Sequence, residues 1–224
     1  KGAYQYAFDY CQDIPDGFSE WKGLLMAGDH FASALVHRTT AQTVRLFRQP
    51  VLTYYDRQHE LYPLSQIPSD SEQPHTLVTA CTGAGKTDFL LRRCRGRVFY
   101  TLPFQASINS MFERLKTDIS KDNHDLDIRV LHAASRLMVE KHKWEEKTIQ
   151  GHTGSAVKVL TPHQLASIVF GTRGYEATLM DLRGCDIILD EIHTYTKVTR
   201  SIVLKIVEML KRLGCRIHIG TATM

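Results

Sequence analysis

The sequence has few cysteines, no long apolar run and no strong excess of charge of either sign. Its five cysteines form no CxxC pair, which argues against a zinc ribbon or a disulfide framework and predicts a reducing, cytoplasmic setting. No apolar run approaches the length of a membrane span and no signal peptide is visible, so no membrane partner is expected. The net charge of +4 suits a polyanionic partner but does not identify one.

The length and composition predict one α/β domain preceded by a shorter segment. The chain has 224 residues, of which 43% are hydrophobic, enough for a sizeable core. Residues 1–48 show helical spacing of apolar side chains, and residues 49–74 are rich in proline and polar residues, which is typical of a linker. The first residue is Lys rather than Met and the last residues directly follow a strand-like run, so we expect a fragment of a longer protein.

Residues 75–224 alternate between short apolar runs and helical stretches such as 105–119 and 199–213. This order predicts an α/β fold with a mostly parallel sheet covered by helices on both faces, because parallel strands need long crossovers and are buried on both sides. The predicted strands are 75–81, 97–102, 127–132, 156–161, 185–190 and 215–220.

The segment ACTGAGKTDF at residues 80–89 follows the first predicted strand and opens a helix, which is the context that a phosphate-binding loop needs. Gly83 and Gly85 let the backbone curl so that its N–H groups, with the helix N-terminus, cradle the β-phosphate of ATP. Lys86 would place its ammonium between the β- and γ-phosphates, and the hydroxyl of Thr87 would bind Mg²⁺. The predicted nucleotide-binding residues are Thr82, Gly83, Ala84, Gly85, Lys86 and Thr87.

A later apolar run, CDIILDEIHTY at residues 185–195, contains two adjacent carboxylates at its end. Asp190 is predicted to hold Mg²⁺ through a water shell, because Mg²⁺ gives up water reluctantly. Glu191 is predicted to orient and activate the water that attacks ATP. An acidic pair after an apolar run often only ends a strand, and its combination with the phosphate loop is what indicates a catalytic site.

The candidate segments share one position relative to the predicted strands. Each directly follows a strand, and ligands of doubly wound sheets bind at the carboxyl ends of the strands. We therefore expect all of them at one edge of the sheet. They are Thr82–Thr87, Pro103–Gln105, Thr161–Pro162, Asp190–Glu191 and Thr221–Thr223.

Three short motifs occur in the order found in superfamily 2 DExH helicases. TGAGKT (82–87), DEIH (190–193) and TAT (221–223) resemble motifs I, II and III of that superfamily. The strict phosphate-loop pattern has glycine where this chain has Ala80, and the departure is usual in helicases. Three longer blocks resemble the CRISPR-associated helicase-nuclease of type I systems: LPFQASINSMFERL (102–115), VLTPHQLASIVFG (159–171) and DLRGCDIILDEIHTYT (181–196).

This resemblance implies that residues 75–224 are the first RecA-like domain of an ATP-dependent motor. The motor would move 3′ to 5′ on single-stranded DNA and unwind target DNA in CRISPR interference, with an RNA-guided surveillance complex as partner. The implied coupling residues are His193, Thr221, Ala222 and Thr223. The implied DNA contacts are Pro103, Phe104, Gln105, Thr161, Pro162 and His163. Core packing is an equally good interpretation of Phe104.

Two further residues are assigned by the resemblance. Gln66 would read the adenine edge, with Gln58 as the alternative. Asp29, within GLLMAGDHFASAL (23–35), is similar to the acidic metal ligand of an HD-type nuclease that neighbours the helicase in this family. An exposed aspartate on an ordinary amphipathic helix explains Asp29 equally well.

Other functional classes remain open from the sequence. Another DExH motor, such as a restriction-enzyme translocase or an RNA helicase, would share the motifs. A small-molecule P-loop kinase would lack the DEIH–TAT pair, and a nucleotide-binding module would keep the site without turnover. In the resembling family a second RecA-like domain supplies arginine to the γ-phosphate, a contribution of about 10³–10⁵ in rate. Residues 1–224 alone are therefore expected to hydrolyse little ATP.

Overall fold

The computed structural model of the protein describes Gly2 and residues 19–34, 43–131, 153–172 and 174–222. A six-stranded sheet lies at its centre, with all neighbouring strands parallel and in the order β1-β6-β5-β2-β4-β3. All six predicted strands are confirmed. They are β1 (Thr76–Thr79), β2 (Val98–Thr101), β3 (Ile128–Leu131), β4 (Val157–Leu160), β5 (Asp186–Leu189) and β6 (Arg216–Thr221).

Helices precede the sheet and connect its strands. The predicted helices at 105–119 and 199–213 are confirmed as α3 and α7. Of the predicted helical segment 1–48, residues 20–34 form helix α1, whereas residues 1, 3–18 and 35–42 lie outside the described residues. The helices are α1 (Glu20–Ala34), α2 (Lys86–Arg93), α3 (Gln105–Ile119), α4 (Pro162–Leu165), α5 (Ser167–Phe170), α6 (Tyr175–Leu182) and α7 (Lys197–Arg212). Within the described ranges, none of them combines the length and apolar character needed to cross a membrane.

Alternating side chains of the central strands fill two hydrophobic cores, one on each face of the sheet. In β5, Ile187 and Leu189 face the core that contains residues of α4 to α7, whereas Ile188 faces the core with α2 and α3. In β2, Phe99 contributes to the first core and Tyr100 to the second. This period of two places successive residues on opposite faces of a strand. The fold is therefore the predicted α/β fold, with a parallel sheet covered on both sides.

Residues 49–74 lie against the phosphate-loop helix α2. They contain two 3₁₀ helices, Thr53–Asp56 and Pro63–Gln66. The buried guanidinium of Arg92 donates hydrogen bonds to the carbonyl oxygens of this segment, for example to Leu64 O at 2.6 Å. The guanidinium of Arg93 also donates to this segment, from Nη1 to Ser69 O at 2.6 Å. These bonds fix the segment over α2, and the division of the chain into domains at this point stays a prediction.

Candidate nucleotide-binding site

A cleft of about 530 Å³ opens at the carboxyl edge of the sheet, beside the ends of β1 and β5. Because all six strands are parallel, the loops that follow them meet at this edge. The cleft brings together residues of the predicted phosphate loop and the predicted acidic pair. Its lining residues are Arg57, Tyr62, Thr82, Gly83, Gly85, Lys86, Thr87, Asp88, Arg114, Asp118, Asp190 and Glu191.

The phosphate loop has the backbone geometry that its glycines predict. Gly83 and Gly85 adopt φ angles of 85° and 88°, in the left-handed region that glycine enters without a steric penalty. Gly85 is also the residue that precedes α2, so the loop leads directly into the helix N-terminus. The loop is braced from outside by the upstream segment, since Leu64 N donates to Ala84 O at 3.1 Å.

Lys86 and Glu191 are joined across the cleft. The Lys86 Nζ lies 3.6 Å from Glu191 Oε1 and donates to Ala80 O at 3.3 Å. The lysine side chain is buried, whereas Glu191 is more than a third exposed. Glu191 has φ of +57°, which is uncommon for a residue with a side chain and occurs preferentially at functional sites. The structure thus places the predicted phosphate ligand next to the predicted base.

Asp190 is buried behind this pair and held from two sides. Its Oδ2 accepts a hydrogen bond from the Tyr100 hydroxyl at 2.6 Å, and its Oδ1 accepts from Glu191 N at 2.9 Å. Burial, reinforced by the Asp190 charge, raises the pKa of Tyr100 well above its usual range, so the phenol is a proton donor here. Gly220 in β6 makes room for the carboxylate, because a Cβ there would lie only 2.6 Å from Asp190 Oδ1.

His193 connects the acidic pair to the end of β6. Its Nε2 lies 3.3 Å from Glu191 Oε2, while Nδ1 accepts from Ala222 N at 3.3 Å and lies 3.2 Å from Thr221 Oγ1. A backbone N–H can only donate, so Nδ1 is the acceptor and Nε2 carries the proton that faces Glu191. The predicted coupling residues His193, Thr221 and Ala222 therefore lie in contact. Thr223 lies outside the described residues.

Two arginines at the cleft were missed by the sequence analysis. The Arg57 Nη2 lies 3.1 Å from Asp88 Oδ2, and the Arg114 Nη2 lies 2.5 Å from Asp88 Oδ1. Asp88 belongs to α2, Arg114 to α3 and Arg57 to the upstream segment. No spacing along the chain links these three residues, so only the folded arrangement reveals that Lys86 is not the sole cation of the cleft.

The comparisons with known proteins agree with this geometry. A sequence profile of the family described as "DEAD/DEAH box helicase" matches residues 58–224. The chain belongs to this helicase family. It is 28% identical over 162 residues to the CRISPR-associated nuclease/helicase Cas3 of Methanothermobacter thermautotrophicus, a match that covers 66% of this chain and 19% of that protein.

Solved structures of T. fusca Cas3 share the fold of this helicase domain. The form with ATP is 19% identical with a TM-score of 0.65, and the form with AMPPNP is 19% identical with a TM-score of 0.64. Each match covers 80% of this chain and 23% of that chain. The chain therefore spans less than a quarter of the length of these relatives, and the likeness supports the RecA-like fold.

The residues predicted to bind DNA differ in their exposure. Phe104 is 57% exposed, so its interpretation as a core residue is wrong. Gln105 and His163 are also exposed. Thr161 and Pro162 are buried, and Thr161 caps helix α4 in a reciprocal arrangement with Gln164. Of the six residues predicted to bind DNA, the exposed ones are therefore Phe104, Gln105 and His163.

Gln66 and Asp29 lie apart from the cleft. The exposed Gln66 ends a 3₁₀ helix and donates from Nε2 to Ser65 Oγ at 3.4 Å; it is not among the described residues that line the cleft. Asp29 is exposed on α1, and within the described ranges it belongs to no cluster of potential metal ligands. Both assignments stay predictions.

Proposed function

We propose that this chain is the ATP-binding domain of a single-stranded DNA translocase that unwinds target DNA in type I CRISPR interference. The observation that carries the proposal is the meeting of Lys86, Asp190 and Glu191 in one cleft at the carboxyl edge of a parallel sheet. A phosphate-binding loop facing two carboxylates is the arrangement that P-loop enzymes use to bind and hydrolyse a nucleoside triphosphate.

Nucleotide binding would begin with an exchange of partners at Lys86. In the structure its ammonium faces Glu191 and the carbonyl of Ala80. The phosphates of ATP, cradled by the N–H groups of Thr82–Thr87, would replace Glu191 as the partner of this ammonium. The adenine would lie toward Tyr62, which lines the cleft. Gln66 would read its edge only after turning away from Ser65.

The cleft offers a donor set that fits Mg²⁺. Asp190 and Thr87 both line it, and carboxylate and hydroxyl oxygens are the hard ligands that this ion prefers. Asp190 is buried and ionisable, so a cation beside it would also offset the cost of burying its charge. When bound, Mg²⁺ would neutralise charge that develops on the β- and γ-phosphates.

Glu191 would then serve as the base. Once Lys86 binds phosphate, the Glu191 carboxylate is free to accept a hydrogen bond from a water aligned with the γ-phosphorus. The water oxygen bonds to the γ-phosphorus while the bond between this phosphorus and the oxygen that bridges it to the β-phosphate breaks. In the same step Glu191 takes the proton from the water. His193 holds the second carboxylate oxygen of Glu191 and so fixes its direction.

Nucleic acid would bind along the same edge of the sheet. Phe104 and Gln105 at the start of α3 and His163 on α4 present exposed groups that suit stacking and phosphate contacts without regard to sequence. The half-buried Pro103 lies beside Phe104. Thr161 and Pro162 would act by holding the turn before α4. The coupling path would run from Glu191 through His193 to Thr221–Thr223.

The likeness to Cas3, which is named as a nuclease and helicase, supports the remaining partners of the proposal. These are an HD-type nuclease domain, in the same chain or a separate one, and an RNA-guided surveillance complex. Asp29 on α1 is exposed and would be accessible as an acidic metal ligand of that nuclease.

The test is steady-state ATP hydrolysis by the full-length protein with single-stranded DNA, double-stranded DNA, RNA or no nucleic acid. We expect single-stranded DNA to give the largest stimulation, and the Lys86→Ala variant to lose it. Stimulation by RNA but not by DNA would instead favour an RNA helicase. Stimulation by double-stranded DNA alone would favour a restriction-type translocase.

A further inference from the structure

Tyr100 connects the middle of the sheet to the acidic end of β5. It lies in β2, opposite Ile188 of the neighbouring strand β5, and is fully buried. Its ring points toward the carboxyl end of β5, so that the hydroxyl donates to Asp190 Oδ2 at 2.6 Å. A short hydrogen bond to a buried carboxylate is among the stronger kinds in proteins, because the acceptor is charged and water is excluded.

Asp190 is one of two side chains whose oxygens would face the metal. Thr87 and Asp190 come from opposite sides of the cleft, from the start of α2 and the end of β5, and both line it. The buried hydroxyl of Tyr100 holds the carboxylate member of this pair.

The remaining surroundings leave the Asp190 carboxylate little freedom. Its other oxygen accepts from Glu191 N at 2.9 Å, and the backbone of Gly220 closes the space beside it. Loss of the phenol would free Oδ2 to rotate or to seek another donor. A carboxylate whose orientation is not fixed binds a metal more weakly, and loss of such an outer partner typically costs about 10- to 100-fold in metal affinity.

We propose that Tyr100 is a positioning residue for the magnesium of bound nucleotide, which it serves by fixing the Asp190 carboxylate in one orientation. This inference rests on the proposed function, since it requires that the cleft binds Mg·ATP. It adds a residue that lies in a strand interior and is not among the described residues that line the cleft.

The experiment compares Tyr100→Phe with wild type in the full-length protein. Binding of a fluorescent ATP analogue is titrated at a series of free Mg²⁺ concentrations and again in EDTA. We expect Tyr100→Phe to raise the Mg²⁺ concentration needed for half-maximal tight binding by about tenfold. Affinity in EDTA should stay within about twofold of wild type, since the phosphate loop and Lys86 are unchanged.

The matched control is Tyr55→Phe. Tyr55 is buried in the same hydrophobic core as Tyr100, and its hydroxyl has no hydrogen-bond partner among the residues that the structure describes. Removal of this hydroxyl tests the effect of losing a buried phenol oxygen without touching Asp190. We expect Tyr55→Phe to bind the nucleotide with the wild-type dependence on Mg²⁺.

Three outcomes would overturn the inference or its basis. An unchanged Mg²⁺ midpoint in Tyr100→Phe would show that the phenol does not position the metal ligands. An equal loss of affinity with and without Mg²⁺ would show that Tyr100 only supports the structure of the cleft. Nucleotide binding by the wild type that does not depend on Mg²⁺, or no binding at all, would instead remove the proposed function.

Discussion

Lys86 and Glu191 form an ion pair across the cleft, with 3.6 Å between Nζ and Oε1. The pair joins the residue that would bind phosphate to the residue that would activate water, and it holds both away from those tasks. The more buried partner is the lysine, whose side chain is 8% exposed. Binding of triphosphate would therefore release Glu191 at the same moment that it satisfies Lys86, which links substrate binding to activation of the base.

The first prediction concerns Lys86→Ala. We expect at least roughly 10- to 100-fold weaker binding of Mg·ATP, because a hydrogen bond to a charged group contributes about 1.5–3 kcal/mol and about 1.4 kcal/mol corresponds to tenfold in affinity. Isothermal titration calorimetry measures the change directly. Lys205→Ala removes an exposed lysine of α7 and serves as the control. Equal affinity in Lys86→Ala and wild type would contradict the assignment of the phosphate loop.

The second prediction concerns Glu191→Gln in the full-length protein. ATP binding should be kept or strengthened, since Lys86 loses a competing carboxylate, whereas hydrolysis should fall by at least about 10²-fold because glutamine cannot take a proton. The measurement is single-turnover hydrolysis together with nucleotide affinity. Glu208→Gln, on the exposed face of α7, is the matched control. If hydrolysis survives in Glu191→Gln, another group activates the water.

The strands and helices were predictable because their signals are local. Apolar runs bounded by polar residues define β1 to β6, and the stretch predicted at 105–119 forms α3 over the same residues. Gly83 and Gly85 could be placed from their spacing alone, because a phosphate loop needs positive φ angles at a fixed distance from the lysine. The alternation of strands and helices predicted a parallel sheet, and therefore that the loops after the strands lie at one edge of it. The all-parallel sheet confirms this prediction.

The parts that were missed depend on contacts between distant segments. Tyr100 reads as one more apolar residue of a strand, and its partner Asp190 is revealed only by the pairing of β2 with β5. Arg57 and Arg114 meet at Asp88 from two different segments, with no periodic pattern between them. The 3₁₀ helices at 53–66 are too short to show a period, so the sequence indicated only loop.

The third prediction concerns Asp186, at the opposite end of β5 from the cleft. Its Oδ2 accepts from Arg95 N at 2.8 Å and Gly96 N at 2.7 Å, and Arg216 donates to both carboxylate oxygens. His218 Nε2 lies 2.9 Å from Oδ1. Burial alone would raise the pKa of Asp186, but the hydrogen bonds from Arg216 and His218 outweigh it and lower the pKa to about 2.

The lowered pKa of Asp186 fixes the direction of its effect on stability. The folded value of about 2 lies below the unfolded value of 3.8, so the stabilisation is fully present above pH 3.8 and is lost as the pH falls toward 2. At neutral pH, Asp186→Asn should lower the free energy of unfolding by about 2–3 kcal/mol, because the difference between 3.8 and about 2 in the pKa corresponds to about 2.4 kcal/mol of interaction with the charged carboxylate. Urea unfolding of wild type, Asp186→Asn and the exposed-loop control Asp70→Asn should show the difference narrowing below pH 3.8. A constant difference across that range would contradict the charged role of Asp186.

The last prediction concerns His193→Ala in the full-length protein. The imidazole spans the distance from Glu191 to the end of β6, with contacts of 3.3 Å to Glu191 Oε2 and 3.2 Å to Thr221 Oγ1. Its removal leaves the phosphate loop, Lys86 and Asp190 in place, so nucleotide affinity should stay close to wild type. The contact between β6 and Glu191 is lost. Coupling between two sites typically changes the affinity at one of them by about 5- to 150-fold when the other is occupied. We therefore expect the stimulation of ATP hydrolysis by single-stranded DNA to fall by at least about fivefold. His124→Ala, in the exposed loop after α3, is the matched control. Full stimulation in His193→Ala would mean that nucleic-acid binding is coupled to Glu191 through residues other than His193.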